Sequence, residues 1–160
     1  MKNKALIFLI IPLGLVADQL SKFWAAKHLI GKPISLIGDW FSFHYSENTG
    51  AAWGVLSDKT WLLALVSCIA CILIGLYYFL GKYHSKLTGF SLILIFTGAL
   101  GNLLDRLFRG YVIDFINLNF FALFGGDFPI FNIADIFVTV GVALLIIALL
   151  FLEKEEASHE

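Results

Sequence analysis

The feature that most constrains this chain is a set of apolar runs long enough to cross a bilayer. Residues 60–80 and 87–104 carry no charged side chain, and residues 130–152 carry one, Asp135. About 20 apolar residues span a ~30 Å hydrocarbon layer as a helix. A fourth run is less clean: residues 5–17 are apolar but short, and reach spanning length only by continuing through Asp18, Gln19, Ser21 and Lys22 to about Ala26. With Lys2 and Lys4 in front, this stretch also fits a secretory signal. No small-x-small site follows and Asp18 stands where one would begin, so a spanning helix is preferred. The expectation is an all-α membrane bundle, a single integral membrane domain over residues 1–160. Its transmembrane helices fall at about 5–26, 60–80, 87–105 and 130–152, with extracytoplasmic segments at about 27–59 and 106–129.

Composition agrees: 59% of residues are hydrophobic and 14% charged, with a mean hydropathy of +0.87, well outside the range of soluble domains. The net charge is −1 with scattered basic residues, so the clustered Lys/Arg footprint of nucleic-acid binding is missing. Cys68 and Cys71 form a C-x-x-C inside an apolar run without a following His or a second pair, and are expected to be small apolar fillers. His28, His44, His84 and His159 show no metal-ligand spacing. No metal and no cofactor is expected, and nothing demands more than a monomer.

With four spans both termini share one side. That side holds Lys2, Lys4, Lys82, Lys86 and Lys154; the other holds Lys22, Lys27, Lys32, Lys59, Arg106 and Arg109. The totals do not discriminate, but the first group is concentrated in short tails and a tight turn, which places both termini in the cytoplasm. Of the outer segments, residues 34–56 are rich in β-formers, and Phe41, Phe43 and Tyr45 alternate with Ser42, His44 and Ser46. This period of two predicts a small sheet resting on the membrane surface. Residues 107–129 contain Tyr111, Phe115, Phe120, Phe121, Phe124 and Phe128 with Gly125 and Gly126, suited to an interfacial flap or re-entrant edge. The acidic tail 153–160 is expected to be a solvated end.

Ionisable groups near hydrocarbon cost several kcal/mol unless paired or hydrated, so each marks a functional candidate. At 1.5 Å per residue, Asp105 lies ~28 Å from Lys86 and Asp135 ~27 Å from Glu153, both at the outer edge; Asp18, ~21 Å from Lys4, lies deeper. Asp114 sits in a short apolar stretch, Tyr111 through Ile116, of the second outer segment. Two carboxylates in a partly apolar site can share one proton, the ionised one activating a water while the other donates to the breaking amide. Asp135, the one charge of its run, is the easier member to identify. Asp114 is favoured as partner by its apolar neighbours, and Asp105 by its matching depth, although adjacent Arg106 would hold Asp105 ionised; the residues alone leave both open. Ser21-Lys22 as a Ser/Lys pair is weak, because adjacent helix positions do not face each other. Asn48, Asn102 and Asn132 are candidates for holding a peptide backbone, and Asn132 for capping a helix. Two readings from other classes stay open beside the carboxylate pair: a transporter, which would place its acids near the midplane on a continuous polar path, and a non-catalytic scaffold, which would need no acidic cluster.

Five motifs now stand in order: Asp18-Gln19-x-Ser21-Lys22, Asn48-Thr49-Gly50-Ala51-Ala52-Trp53-Gly54, Gly98-Ala99-Leu100-Gly101-Asn102-Leu103-Leu104-Asp105-Arg106, Val112-Ile113-Asp114-Phe115 and Phe128-Pro129-Ile130-Phe131-Asn132-Ile133-Ala134-Asp135. This set resembles that of the lipoprotein signal peptidase (signal peptidase II) family over essentially the whole chain. The resemblance implies a multi-pass aspartic endopeptidase of the bacterial inner or cytoplasmic membrane. Its substrates would be prolipoproteins cut before a diacylglyceryl-modified cysteine, with membrane lipid as a second partner and the active site toward the extracytoplasmic face. It implies Asp114 and Asp135 as catalytic, and Asp18, Asn48, Gly54, Asn102, Asp105, Arg106 and Asn132 as substrate-binding or site-supporting. Ile136 departs from the serine that many members carry there.

Overall fold

In the computed structural model, which describes residues 4–38, 40–50, 56–81, 85–119 and 128–152, the apolar runs form helices α1 (Lys4–His28), α2 (Thr60–Leu80), α3 (Lys86–Phe108) and α4 (Ile133–Ile147). A π-helical turn, Ala148–Leu152, prolongs α4. Four helical stretches are long and apolar enough to cross a membrane. Helix α2 covers the uncharged run 60–80, while α1 and α3 continue a few residues past 26 and 105. The fourth helix starts at Ile133 rather than 130, because Asn132 caps it and the preceding residues are extended.

The helices are apolar on the outside. In α1, Leu9, Leu13, Val16, Leu20 and Phe23 are exposed, whereas Gly14, Asp18, Lys22, Ala25 and Leu29 recur at three- and four-residue intervals on the buried face. That stripe has the helical period with polarity reversed, the arrangement expected where the surrounding medium is hydrocarbon and polar groups must find partners inside. Helix α3 occupies the centre and packs against α1, α2 and α4. Its small residues allow the approach: a methyl group built on Gly98 would run into the carbonyl oxygen of Ala134 and come within 2.8 Å of Val138 Cγ2. One on Gly101 would lie 2.7 Å from Asp18 Oδ2. Close contact through small residues is how helices associate where lipid offers no hydrophobic driving force.

Strands β1 (Ile34–Ile37), β2 (Phe41–Asn48) and β3 (Val112–Leu118) form one antiparallel sheet in that order. The first two fall within residues 34–56, where β-former content and the alternation at 41–46 had led to the expectation of a small sheet. The third narrows the segment 107–129 that was expected to form a flap: residues 107 and 108 complete α3, and 112–118 pair with β2, Ser46 opposite Asp114 and Asn48 opposite Val112. Period two is hidden in β3 because Val112, Ile113, Asp114 and Phe115 are all buried. Ile113 and Phe115 pack on Ala25 and Leu29 at the end of α1, with Trp24 edge-on to Phe43 at 5.6 Å. The free side of β3 bridges to Phe131, whose carbonyl accepts from the amides of Phe115 (3.0 Å) and Ile116 (2.8 Å). The chain therefore enters α4 directly from a hydrogen-bonded contact with β3. Gly54, Phe120, Phe121, Phe124, Gly125, Gly126 and the acidic tail lie outside the described residues.

The contact at Gly98 carries a prediction. Gly98→Ala forces α3 and the first turn of α4 apart and is expected to destabilise by about 1–3 kcal/mol, the usual range for overpacking. Gly75→Ala in α2, where an added methyl meets nothing within 4 Å, is expected to be neutral or slightly stabilising. Thermal unfolding of both variants in detergent checks this, and equal midpoints would refute the packing assignment.

Candidate active site

Asp135 occupies the third position of α4, where the free backbone N–H groups of a helix start favour a negative charge. Asn132 and Asp135 form a reciprocal cap: Asn132 Oδ1 accepts from the Asp135 amide at 3.0 Å, and Asp135 Oδ2 accepts from the Asn132 amide at 3.1 Å. The other carboxylate oxygen, Oδ1, accepts from Asn102 Nδ2 at 2.7 Å. Helix α3 thus supplies one donor and the α4 cap another.

Asp114 is brought to the same place by β3. Its Oδ1 accepts from Asn132 Nδ2 at 2.6 Å and its Oδ2 from Asn48 Nδ2 at 2.9 Å. Asn132, itself fully buried, therefore grips both carboxylates, one through its side-chain amide and one through its backbone. Burial pushes the Asp114 carboxyl up to about 7, and the charge of Asp135 adds to the rise; the amides of Asn48 and Asn132 and the more distant Lys22 ammonium oppose it. Near neutrality this group is poised between its acid and its anion.

Behind the pair lies a layer of buried charge. Lys22, at 0% exposure, bonds Asp18 Oδ2 and Asp105 Oδ2, each at 2.8 Å, and Asn102 Oδ1 at 3.0 Å. Asp18 Oδ1 accepts from the Ala134 amide at 3.0 Å, and Asp105 Oδ2 from the Ile113 amide at 3.3 Å. Arg109 Nη1 bonds Asp105 Oδ1 and donates to Gln19 Oε1 at 3.0 Å. This corrects one expectation: the cations holding Asp105 are Arg109 and Lys22, while Arg106 Nη2 donates to the Gly50 carbonyl at 3.3 Å. The reason is helical phase, since residues four apart share a face and neighbours do not. Lys22, counted above among the outer-segment charges, is likewise inside the bundle. Ser21 donates to its own helix at the Asp18 carbonyl, 2.8 Å away, and takes no part in a Ser/Lys pair.

Both carboxylates open on a cavity of ≈ 610 Å³, with Asn48, Asn102 and Arg106 at its polar end and Phe128, Phe131, Ile136, Val138 and Val140 along its apolar wall. Arg106 Nε is buried without a hydrogen-bond partner among the described residues. No group of three or more His, Cys, Asp or Glu side chains suited to a metal ion occurs among the described residues. The structure brings Asp114, Asp135, Asp18, Asn48, Asn102, Asp105, Arg106 and Asn132 into one connected set. Sequence reasoning missed Lys22, Gln19 and Arg109 as members. The spacing that could have found them is Asp18 to Lys22 and Asp105 to Arg109, two carboxylate–cation pairs four residues apart on apolar helices.

Comparison with known proteins gives the same picture. Residues 10–151 match the model of the family described as signal peptidase (SPase) II. The lipoprotein signal peptidase of Clostridium tetani is 45% identical over 153 residues, covering 95% of each chain. That of Staphylococcus aureus strain Newman is 42% identical over 145 residues, covering 89% of this chain and 86% of the relative. Two solved bacterial membrane enzyme structures, obtained by the in meso method at 2.3 Å and 1.9 Å resolution, superpose with TM-scores of 0.84 and 0.82. Each is 37% identical to this chain; the first match covers 92% of this chain and 89% of the other, the second 93% and 95%. Family match, identity over nearly the full length and shared fold agree: the chain belongs to the signal peptidase II family of aspartic endopeptidases.

Proposed function

We propose that this protein removes signal peptides from diacylglyceryl-modified prolipoproteins, cleaving before the lipidated cysteine, with Asp114 and Asp135 as the catalytic pair. The observation that carries this reading is the double grip of Asn132 on both carboxylates, which line the cavity. Asp105 is the weaker candidate for the pair, because both of its oxygens are taken by Lys22 and Arg109.

The chemistry follows from the environments. Asp135, fed by two N–H donors at a helix start, acts as the ionised member and takes a proton from water as its oxygen attacks the scissile carbonyl carbon. Asp114, titrating near 7, gives its proton to the carbonyl oxygen, forming a geminal diol. As the diol collapses, one hydroxyl returns its proton to Asp114 while Asp135 protonates the departing amide nitrogen; the C–N bond breaks and both carboxyls recover their starting states. Asn48, Asn102 and Asn132 hold the pair, Asp18 and Asp105 support it from behind, and Arg106 supplies a planar donor for a substrate carbonyl or phosphate oxygen. The apolar wall takes the lipid-bearing residue and the substrate's membrane-spanning helix. In this arrangement both termini are cytoplasmic, the sheet lies on the extracytoplasmic side of the bacterial cytoplasmic membrane, and one monomeric domain suffices.

Cleavage of a diacylglyceryl-modified prolipoprotein by the purified protein tests the reading. Asp114→Asn and Asp135→Asn are each expected to lower turnover by about 10²–10⁴-fold with helical content unchanged. Wild-type turnover in Asp114→Asn alongside inactivity in Asp105→Asn would overturn the pair.

The pH dependence has a defined sign. Asp114 must be protonated to donate, and its carboxyl titrates at about 7, so activity is expected to be retained just below that pH and to fall as pH rises through it. A kcat–pH profile rising steadily from pH 6 to 9 would exclude Asp114 as the acid.

A further inference from the structure

We propose that Lys22 is a positioning residue for the carboxylate pair, its ammonium fixing which end of the Asn102 side-chain amide meets Asp135. The proposal rests on the reading of Asp114 and Asp135 as the reacting groups and adds a residue to which that reading gives no role.

An amide side chain has an acceptor end and a donor end of nearly the same shape, and its neighbours decide which way round it sits. A lysine ammonium has three N–H donors and no acceptor. Lys22 donates to Asp18 Oδ2 (2.8 Å) and Asn102 Oδ1 (3.0 Å), and its ammonium is ion-paired with Asp105 Oδ2 at 2.8 Å. Asn102 must therefore turn its oxygen toward Lys22 and its Nδ2 toward Asp135 Oδ1, which it meets at 2.7 Å. The reversed amide would set its NH₂ against the ammonium and its oxygen against a carboxylate, unfavourable at both ends. The same Oδ1 accepts from Asn132 Nδ2 at 3.1 Å, the group that also holds Asp114. Lys22 is thus the charged one of the two donors on an oxygen shared by the hydrogen-bond paths to both carboxylates. Fully buried and outside the cavity lining, it touches no substrate, and as an ammonium it has no lone pair to take a proton, so it acts through Asn102.

The plainer role for a buried lysine is to join α1 to α3 by charge pairing. A pH profile separates the two. Charged groups around the Asn102 bridge are Asp18 and Lys22 from α1, Asp105 and Arg106 from α3, Asp114 from β3 and Asp135 from α4. Among them Lys22 is the cation whose field on Asp114 opposes the rise caused by burial. Its removal is expected to raise the Asp114 titration further.

The test uses the purified full chain and a diacylglyceryl-modified prolipoprotein. Lys22→Met leaves Asp18 and Asp105 short of a partner and is liable to unfold. The charge-balanced Asp18→Asn/Lys22→Met removes one cation and one anion, leaves Asp105 paired with Arg109, and keeps the fold accessible. In this double variant kcat is expected to fall by about 10- to 100-fold, as for a misplaced catalytic group, with KM within about twofold. Against Asp18→Asn alone, from which the double variant differs only by the loss of the Lys22 charge, the alkaline limb of the kcat–pH profile is expected to move up by about one unit. An unmoved limb, whether or not activity is lost, would overturn the proposal and leave Lys22 as a structural ion pair. Asp114→Asn and Asp135→Asn run in parallel keep the two readings apart: turnover in those variants would sink the carboxylate pair itself, whereas their inactivity beside an unmoved limb would sink only the role of Lys22.

Discussion

Two buried side-chain amides, Asn102 and Asn132, hold the functional end of this molecule together. Asn132 spends both Nδ2 hydrogens, one on Asp114 and one on Asn102, and its Oδ1 caps α4. Asn102 receives Lys22 and Asn132 on its oxygen and donates to Asp135. Each amide is oriented by a neighbour that can play only one part: an ammonium that only donates, or a backbone N–H. In a medium without water an unpaired polar group costs several kcal/mol, so such a network is tolerable only when nearly complete. Completion also places the carboxylates. Strand, cap and helix arrive at one point because the bonds that satisfy them converge there.

The rest of the bundle can then be simple. Below the polar end, the hydroxyls of Ser91 and Thr97 on α3 bond back to their own helix at Leu87 and Ile93, both at 2.7 Å, and make no demand on a neighbour. Helix contacts there rely on small residues such as Gly98 and Gly141, which let backbones approach. Cys71, buried and unpaired, belongs to the same small-residue packing beside Ala64 and Leu103. The buried charges and side-chain amides gather at one end of the bundle.

Much of this was legible in the sequence, for physical reasons that also mark where legibility ends. Spanning helices announce themselves by length and lack of charge, which is why Thr60–Leu80 was located to the residue. The aromatic alternation of 41–46 revealed β2 although burial itself does not alternate along the strand. β3 gave no such signal: with Val112 through Phe115 all buried, its two faces look alike in sequence, and its aromatic content resembled an interfacial segment. Among site residues, aspartates and asparagines stood out as misplaced polarity. Lys22 did not, because a lysine near the end of an apolar run reads as a flanking charge unless its partner four positions earlier is weighed with it. The choice between Asp114 and Asp105 could not be made from local neighbours either, since the cation that matters to Asp105 lies four residues on and not one.

Charge balance ties these observations to the chemistry. In the layer behind the pair, Lys22 and Arg109 face Asp18 and Asp105, two positive charges against two negative, so the layer is neutral as a unit. The site's net charge is then decided by Arg106 and the two carboxylates that share its cavity. With both carboxylates ionised that group carries −1, and with one proton between them it carries zero. A low-dielectric setting disfavours unbalanced charge strongly, so the singly protonated pair is the state that the surroundings stabilise. That is the state a pair of acids needs in order to accept a proton from water with one member and give one with the other. On the proposed reading of Asp114 and Asp135, neutralising Asp18 and Asp105 in a layer of their own leaves the single proton to that pair. On that reading the buried charges behind the pair act on its protonation state and not on the substrate.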